Sequence, residues 1–307
     1  MPRTMDFNLL RALQALLEER SVTRAAERLG QSQPAASAAL AKLRRHYRDE
    51  LLTRVGNSYQ LSPLALQLLE HAAEAVAMAE RAFSLQADFD PAASERTFTV
   101  AVSDYTATVL GPALSRLLSD RAPGIQLHLR TLTADMLEGA PETLRGLDAV
   151  VMPHSYLVGL PYEDLLHDEW VCLVSTDNQA VGEELSKKHL ADLPWAYTFR
   201  RLSALTTAIR ELRVHGIEPH PRMIAESYSA LPSLVAGTNH IALIQKRLTR
   251  LAPRMDQVRV MQCPVPLAPL VLALWWHPTH TADAGHQWLR GLFHDAEALA
   301  LSESVSS

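Results

Sequence analysis

Apolar residues near the start of the chain recur every three or four positions, a spacing typical of amphipathic helices. This spacing predicts a first helix over residues 6–19 with Asp6 as its N-cap. A short second helix follows Ser21 and ends at Gly30, a residue type suited to the left-handed position beyond a helix. The apolar stripe of the first helix comprises Phe7, Leu10, Leu13 and Leu17.

A third helix is predicted immediately after a tight turn at Gly30–Gln31. Ser32 is suited to cap this helix, and Pro34 lies in its first turn, where a missing N–H costs nothing. Its inward-facing positions are Ala36, Leu40 and Leu43. Two helices joined by such a turn form a helix-turn-helix, whose second helix lies in the major groove of DNA.

Two short strand-like runs follow the third helix and flank Gly56–Asn57, a dipeptide suited to a tight hairpin. A hairpin in this place forms the wing of a winged helix-turn-helix. Arg54, Asn57 and Tyr59 lie on it and can contact phosphate or the minor groove.

Residues 63–84 begin with Pro63, contain no glycine and carry a narrow stripe of small and apolar side chains. Such a seam favours pairing with the same helix of a second chain, although the helix can instead pack on its own domain. The stripe comprises Leu64, Leu68, Ala72, Ala75, Met78 and Ala82.

From Thr97 onward the pattern changes to strands that alternate with helices, which predicts parallel sheets with helices on both faces. The late strand LVLALWWH and the helix after it indicate that the chain returns to the first sheet. The tail SESVSS is expected to be disordered. The other strand-like runs are FTVAVSD, IQLHLRTL, LDAVVMP, WVCLVS, PRMIAES and HIALIQ.

The charge is distributed unevenly along the chain. Residues 1–62 hold ten basic and six acidic side chains, a balance of +4, whereas the whole chain carries −5, which leaves −9 for the remainder. A basic part on an acidic body suggests a DNA-facing module, although chance surface charge explains the asymmetry equally well.

Composition limits the remaining possibilities. Two cysteines, Cys172 and Cys263, cannot form a disulfide framework or a four-ligand zinc site, so a reducing cytoplasm is expected. The first residues do not read as a secretory signal, and the most apolar stretch, broken by Pro269, is too short to span a membrane. We therefore expect no membrane contact, no metal and no cofactor.

The run AAERLGQSQPAASAALAKLRRHYRDELLTR resembles the LysR-type transcriptional regulators. The runs ERTFTVAVSDY, WVCLV and WWHPTHTADAGHQWLR look like the family's branch of aromatic-compound and nodulation regulators, so the resemblance covers essentially the whole chain. Its partners would be double-stranded DNA with a partly palindromic operator, a small-molecule effector, RNA polymerase, and further copies of the chain in a homodimer and homotetramer.

The resemblance implies an α+β protein with three parts. These are a winged helix-turn-helix over residues 1–62, a linker and dimerisation helix over 63–90, and an effector-binding domain over 91–307. The last would be a two-lobe α/β domain like the periplasmic binding proteins, with lobe I formed by 97–167 plus 270–301 and lobe II by 168–269.

Several positions depart from the family pattern. Arg44, Arg48 and Ala65 replace a usual glutamate and two usual glycines, which affects the fine docking geometry on DNA. Glu169 and Leu205 stand where salicylate-responsive members carry histidines, so salicylate is not the expected effector.

The candidate DNA-reading residues lie at the start of the third helix. Gln33 can bond adenine bidentately and Ala35 can touch a thymine methyl, whereas Ser32 is better suited to capping. The phosphate-binding candidates are cations, each of which can instead be a solvated surface charge. The full predicted set is Ser32, Gln33, Pro34, Ala35, Ser37, Arg24, Lys42, Arg44, Arg45 and Arg54.

The candidate effector residues follow strand ends, because two-lobe α/β domains bind ligands at the carboxyl ends of their strands. Ser103 and Thr106 lie at a helix N-terminus, where free N–H groups favour an anionic group. Asp104 is assigned a capping role rather than a ligand contact. The full predicted set is Ser103, Tyr105, Thr106, Thr131, Thr133, His154, Glu169, Phe199, Arg200 and Tyr228.

Two other functions fit less well. An enzyme would need Cys172 or Ser103 as nucleophile, but Cys172 lies in the apolar run VCLV and Ser103 has no G-x-S-x-G motif. A transport-type solute-binding protein would lack the DNA-binding module. We therefore predict no catalytic residue.

Overall fold

The computed structural model describes residues 6–55, 58–84, 89–133, 136, 144, 146–154, 157–198 and 207–306. The chain divides into two compact units, Met1–Leu85 and Gln86–Ser307. Within the described residues, no helix is long and apolar enough to cross a lipid bilayer.

The first unit is a winged helix-turn-helix followed by a long helix, as predicted. Oxygens of Asp6, Ser21 and Ser32 accept backbone N–H groups at the starts of its first three helices. Gly30 has a φ of +62° in the turn between the second and third helices, a conformation that favours glycine. The elements are α1 (Phe7–Glu19), α2 (Val22–Arg28), α3 (Gln33–Tyr47), β1 (Leu52–Val55), β2 (Ser58–Leu61) and α4 (Pro63–Ser84).

Two faces of α4 have different surroundings. Ala65 and Ala72 are buried in the apolar core that α4 shares with α1 and α3, and Val76 further along the helix is buried as well, so one face of α4 packs on its own unit. The predicted seam is therefore wrong at Ala72. Further along the helix, Ala75 and Met78 are exposed, and Met78 retains 52% of its accessible surface.

The second unit contains two five-stranded sheets. In the first, of order β4-β3-β5-β12-β6, parallel β3 pairs with β4 and β5, and β12 runs antiparallel to β5 and β6. The chain thus returns to this sheet near its end, and α5 and α9 cover one face of it. Its elements are β3 (Thr97–Val102), α5 (Asp104–Arg121), β4 (Gln126–Thr131), β5 (Ala149–Pro153), β6 (Tyr162–Asp168), β12 (Leu270–Trp275) and α9 (Ala284–Ser306).

The second sheet has the order β11-β7-β10-β8-β9. The chain enters it after Asp168 and leaves it after Met261. Short 3-10 turns at Lys246–Arg250 and Met255–Gln257 lie between β10 and β11. Its elements are β7 (Trp170–Ser175), α6 (Lys187–Asp192), β8 (Pro194–Thr198), α7 (Thr207–Val214), β9 (His220–Ala225), α8 (Leu231–Val235), β10 (Ile241–Gln245) and β11 (Val258–Met261).

The start of α9 is tied to the first sheet by buried polar contacts. Arg96 pairs with Asp283 at 2.9 Å and with Asp148 at 3.4 Å. His286 donates from Nε2 to the carbonyl of Asp148 at 2.8 Å and accepts from Arg290 on its other ring nitrogen. Burial lowers the pKa of His286 to about 4, so the ring is neutral near pH 7.

The structure differs from the sequence-based expectation in five elements, one of which is the short helix α6 that the pattern did not predict. The pattern did not predict β6, β8 and β11, and the tail expected to be disordered is helical as far as Ser306. Strand β6 carries several charged residues at a sheet edge, β8 begins with a proline, and β11 is a four-residue edge strand. Strand β6 lacks the regular alternation from which strands are predicted, whereas β8 and β11 are too short for their patterns to stand out from the flanking sequence.

Candidate nucleic-acid interface and effector site

The start of α3 presents a polar surface on a rigid support. Ala36, Leu40 and Leu43 are buried behind the helix and fix it against α1 and α2. On the other side, four of the predicted reading residues are exposed, so their side chains are free to approach a groove. These residues are Gln33, Pro34, Ala35 and Ser37.

Ser32 serves as the cap of this helix. Its hydroxyl oxygen accepts the backbone N–H of Ala35 at 3.4 Å. This contact satisfies one of the donors that a helix start leaves without an intrahelical partner.

The predicted phosphate-binding cations differ in how free they are. Lys42 and Arg45 are exposed, and in the described part of the chain no acidic side chain forms an ion pair with either. Arg24 pairs with Glu19 at 3.2 Å but retains 62% of its side-chain surface. For Arg54 the structure describes the backbone pairing with Tyr59, whereas Asn57 lies outside the described residues.

Arg44 has a structural role that the sequence did not reveal. Its guanidinium donates to the carbonyls of Glu50 and Leu52, both at 2.8 Å, and also approaches the Glu50 carboxylate. These bonds fasten the end of α3 to the first strand of the wing. The expectation that Arg44 is a phosphate ligand therefore has no support in this geometry.

In the second unit, Ser103 follows β3 and caps α5. Its hydroxyl accepts the Thr106 backbone N–H at 3.2 Å and lies 3.1 Å from the Thr106 hydroxyl. Ser103 is half-buried, Thr106 is buried, and Thr131 ends the neighbouring strand β4. Ser103 and Thr131 thus lie at adjacent strand ends of one sheet, with Thr106 in the first turn of the helix that follows.

Asp104 connects the two lobes, a role that the sequence did not predict. Its carboxylate accepts the Ser227 hydroxyl at 2.8 Å and the backbone N–H groups of Tyr228 at 3.1 Å and Ser229 at 2.9 Å. The Thr108 and Ser229 hydroxyls lie 3.3 Å apart one turn further along α5. Asp104 therefore stabilises the segment before α8, and the predicted capping role of Asp104 is wrong, because Ser103 is the residue that caps α5.

Tyr105 points into the protein core instead of a ligand site. Its hydroxyl donates to Asp168 at 2.6 Å, and burial followed by the Asp168 charge raises the pKa of Tyr105. Asp168 also accepts the backbone N–H groups of Glu169 and Arg247, yet burial raises the pKa of its carboxyl. This buried cluster at the crossover between the sheets leaves Tyr105 unsuited to the predicted ligand contact.

Three further predicted residues have partners elsewhere. His154 bonds Asp164 at 2.5 Å and packs edge-on against Tyr162 on one face of the first sheet. Glu169 pairs with Lys246 at 2.7 Å and lines an open groove of about 1000 Å³ beside α5. Thr133 accepts the Met136 backbone N–H at 3.4 Å.

Two of the predicted effector residues, Phe199 and Arg200, lie outside the described residues. Tyr228 is buried, and its backbone is held by Asp104. Of the predicted set, Ser103, Thr106, Thr131 and Tyr228 remain close to the interlobe contact or to neighbouring strand ends.

Comparison with known proteins agrees with this architecture. Residues 7–66 match the family described as bacterial regulatory helix-turn-helix protein, lysR family, and residues 91–298 match the LysR substrate binding domain. Nodulation protein D 2 of Rhizobium tropici is 29% identical over 97% of this chain and 95% of its own length. Nodulation protein D 2 of Sinorhizobium fredii is 31% identical over 93% of this chain and 92% of its own.

Solved structures show the same fold. A probable transcriptional regulator from Pseudomonas aeruginosa is 26% identical, with a TM-score of 0.75 over 94% of this chain and 96% of its own. The LysR family regulator CbnR in complex with its target DNA is 16% identical, with a TM-score of 0.65 over 96% of this chain and 100% of its own. The two family matches together span most of the sequence. The protein therefore belongs to the LysR family of DNA-binding transcription regulators with a substrate-binding effector domain, and is not an enzyme.

Proposed function

We propose that this regulator acts in the cytoplasm by binding a partly palindromic operator as a homodimer or as a homotetramer of two such dimers. It would control transcription through contact with RNA polymerase and respond to a small molecule held at the lobes of the effector domain. The observation that carries the DNA-binding part is the exposed, rigidly supported start of α3.

Gln33 is the proposed base reader on this surface. Its side chain is exposed in the first turn of α3. A side-chain amide can donate to N7 of adenine and accept from its N6 amino group at the same time. Both hydrogen bonds form together only when the helix that carries the amide is held in a fixed position. The buried residues behind α3 provide that fixation. Lys42, Arg45 and Arg24 are the proposed phosphate ligands, because their cationic groups are exposed.

A gel-shift assay tests this assignment, using the intergenic DNA upstream of the gene and a shuffled fragment of equal length. Gln33→Ala should weaken specific binding by about 1–3 kcal/mol and leave binding to the shuffled fragment unchanged. Gln67→Ala, the same change at an exposed position of α4, is the matched control. Equal losses on both fragments would assign Gln33 to phosphate contact.

The dimer is proposed to form through the exposed part of α4. Ala75 and Met78 lie one helical turn apart and are exposed, whereas Ala65, Ala72 and Val76 on another face of the helix are buried. The small side chain of Ala75 allows a second helix to approach closely, and Met78 offers exposed apolar surface that such a contact would bury. A two-fold dimer would match a palindromic operator.

The effector is proposed to bind near Ser103, Thr106 and Thr131, with Tyr228 on the facing lobe. Two hydroxyls 3.1 Å apart at the start of α5 offer both donor and acceptor capacity. Phe199 and Arg200 stay in the proposal on sequence grounds alone.

The charge at this place favours a neutral ligand. A helix N-terminus carries roughly half a positive charge, but the Asp104 carboxylate in the first turn of α5 offsets it with a full negative charge. An uncharged molecule with hydroxyl groups is therefore expected to bind better than a carboxylate.

Thermal shift measurements with a matched pair of probes test this idea. Salicylate should leave the melting temperature unchanged, whereas 2-hydroxybenzyl alcohol or larger neutral hydroxylated aromatics should raise it. Thr106→Val keeps the side-chain shape and should abolish the shift while leaving DNA binding intact. Tight salicylate binding by calorimetry, or an undiminished shift in Thr106→Val, would contradict this site.

A further inference from the structure

An open groove of about 1000 Å³, the crossover groove, is lined by Asp168 and Pro269, where the chain crosses between the two lobes of the second unit. Thr108 and Pro112 of α5 line it from the first lobe, and the 3-10 turn Lys246–Arg250 lines it from the second. The volume lies at the upper end of the range for small-molecule sites, about 300–1,000 Å³. A molecule held in this groove would therefore contact both lobes.

Part of the crossover groove is apolar and open to solvent. Val260 of β11 pairs in register with Leu173 of β7, so its side chain lies on the same face of the sheet as Val171, two residues before Leu173. Val260 and Leu251 line the groove and retain 48% and 52% of their accessible surface. Large apolar side chains left this exposed in a concave surface indicate a binding site.

Another part of the crossover groove is positively charged. The turn Lys246–Arg250 has the sequence KRLTR, and its three cations all line the groove. Two carboxylates line it as well, but both are engaged, since Asp168 accepts the Tyr105 hydroxyl at 2.6 Å and Glu169 pairs with Lys246 at 2.7 Å. The balance of three cations and two engaged carboxylates favours an anionic group over a cationic one.

Arg247 also keeps a hydrogen-bond donor without an acceptor. Its Nη2 donates to Glu297 at 3.1 Å, and its backbone N–H donates to Asp168 at 3.1 Å. Its Nη1 is buried and has no hydrogen-bond partner among the residues that the structure describes. A buried charged donor left unpaired is costly, and an oxygen of an anion would supply the acceptor it lacks.

We propose that the crossover groove is a second ligand site, which takes an amphiphilic organic anion. The apolar body of this ligand contacts Val260 and Leu251, and its acidic group is bound by Arg247. The site is separate from the effector site proposed above, because none of the four residues placed there is among the described residues that line the groove. A bound anion would favour the lobe arrangement in which both sides of the groove contact it.

Fluorescence titration of the full-length protein tests the proposal with two probes that share one aromatic body. 8-Anilinonaphthalene-1-sulfonate carries one negative charge, and N-phenyl-1-naphthylamine is the same molecule without the sulfonate. The sulfonate should bind at one site per chain, about tenfold more tightly than the neutral probe, because a charged acceptor strengthens its hydrogen bonds to arginine. Equal affinities for the two probes would overturn the proposal.

Three variants locate the bound probe. Val260→Glu and Val260→Gln introduce side chains of nearly the same shape at an exposed position, so both should leave the fold intact. Val260→Glu should weaken sulfonate binding about tenfold, because it places a like charge beside the ligand, whereas Val260→Gln should bind nearly as well as the wild type. Thr106→Val, in the proposed effector site, should bind the sulfonate as the wild type does.

The opposite results have definite meanings. Unchanged affinity in Val260→Glu, or a loss of affinity in Thr106→Val, would place the probe elsewhere and overturn the proposal. A lower mass of Val260→Glu in light scattering would show that a second copy of the chain covers the groove, and would overturn it as well.

Discussion

Asp104 should determine how firmly the segment before α8 is held against α5. Asp104→Asn removes the charge and replaces one acceptor oxygen by a donor, which then faces the donors of Ser227, Tyr228 and Ser229. Each hydrogen bond to a charged acceptor contributes about 1.5–3 kcal/mol when buried. Because Asp104 is half-exposed and water can replace part of the loss, we expect a destabilisation of about 2 kcal/mol.

Hydrogen exchange measures this effect locally, which matters in a chain with two compact units. A loss of about 2 kcal/mol corresponds to about 30-fold faster exchange of the Tyr228 and Ser229 amides. Asp120→Asn, near the other end of α5, is the control and should be neutral or slightly stabilising, because a negative charge is unfavourable at a helix C-terminus. Unchanged exchange at Tyr228 and Ser229 in Asp104→Asn would refute the proposed interlobe role.

Three further outcomes follow from the described contacts. Replacing Ala75 and Met78 together by Glu places like charges on the exposed seam of α4 and should convert dimers to monomers, which light scattering measures as a halved mass. An unchanged mass would place the dimer interface elsewhere. His286 is neutral in the folded protein, with a pKa of about 4 against a usual 6.5, so acidification from pH 6.5 to 4 should destabilise the effector unit by about 3 kcal/mol as the unfolded ring takes up a proton. His286→Gln should flatten this pH dependence of stability in urea titrations. A pH dependence identical to that of the wild type would contradict the assignment. Arg45→Ala should reduce by about one the slope of the logarithm of the DNA-binding constant against the logarithm of the salt concentration, without changing stability. Arg44→Ala should instead lower the melting temperature of the DNA-binding unit. The reverse pattern would contradict the two roles.

Much of the fold could be predicted because its signals are local. The caps at Asp6 and Ser32, the helix start after Ser21 and the turn at Gly30 each depend on residues within a few positions, and the structure shows all of them. Strand β6 escaped prediction because it holds charged side chains at a sheet edge, where water accepts them and no apolar alternation is required.

The site was harder to predict because its side chains find partners far away in sequence. Tyr105 bonds Asp168, 63 positions later, and Asp104 bonds Ser227, 123 positions later. A residue at a strand end can face a ligand, or it can bond a residue that is distant in sequence. The local sequence pattern is the same in both cases. Exposure of Gln33, by contrast, follows from the helical spacing of the buried residues on the other face of α3.

A nuclease footprint of the purified full-length protein on the upstream intergenic DNA tests the central claim most directly. Paired recognition helices on a two-fold dimer predict protection of two half-sites with inverted sequence symmetry, centred about one helical turn or a multiple of it apart. The same protection should vanish in Gln33→Ala at concentrations where Gln67→Ala retains it. Uniform protection without discrete half-sites, or a footprint unaffected by Gln33→Ala, would contradict sequence-specific recognition through α3.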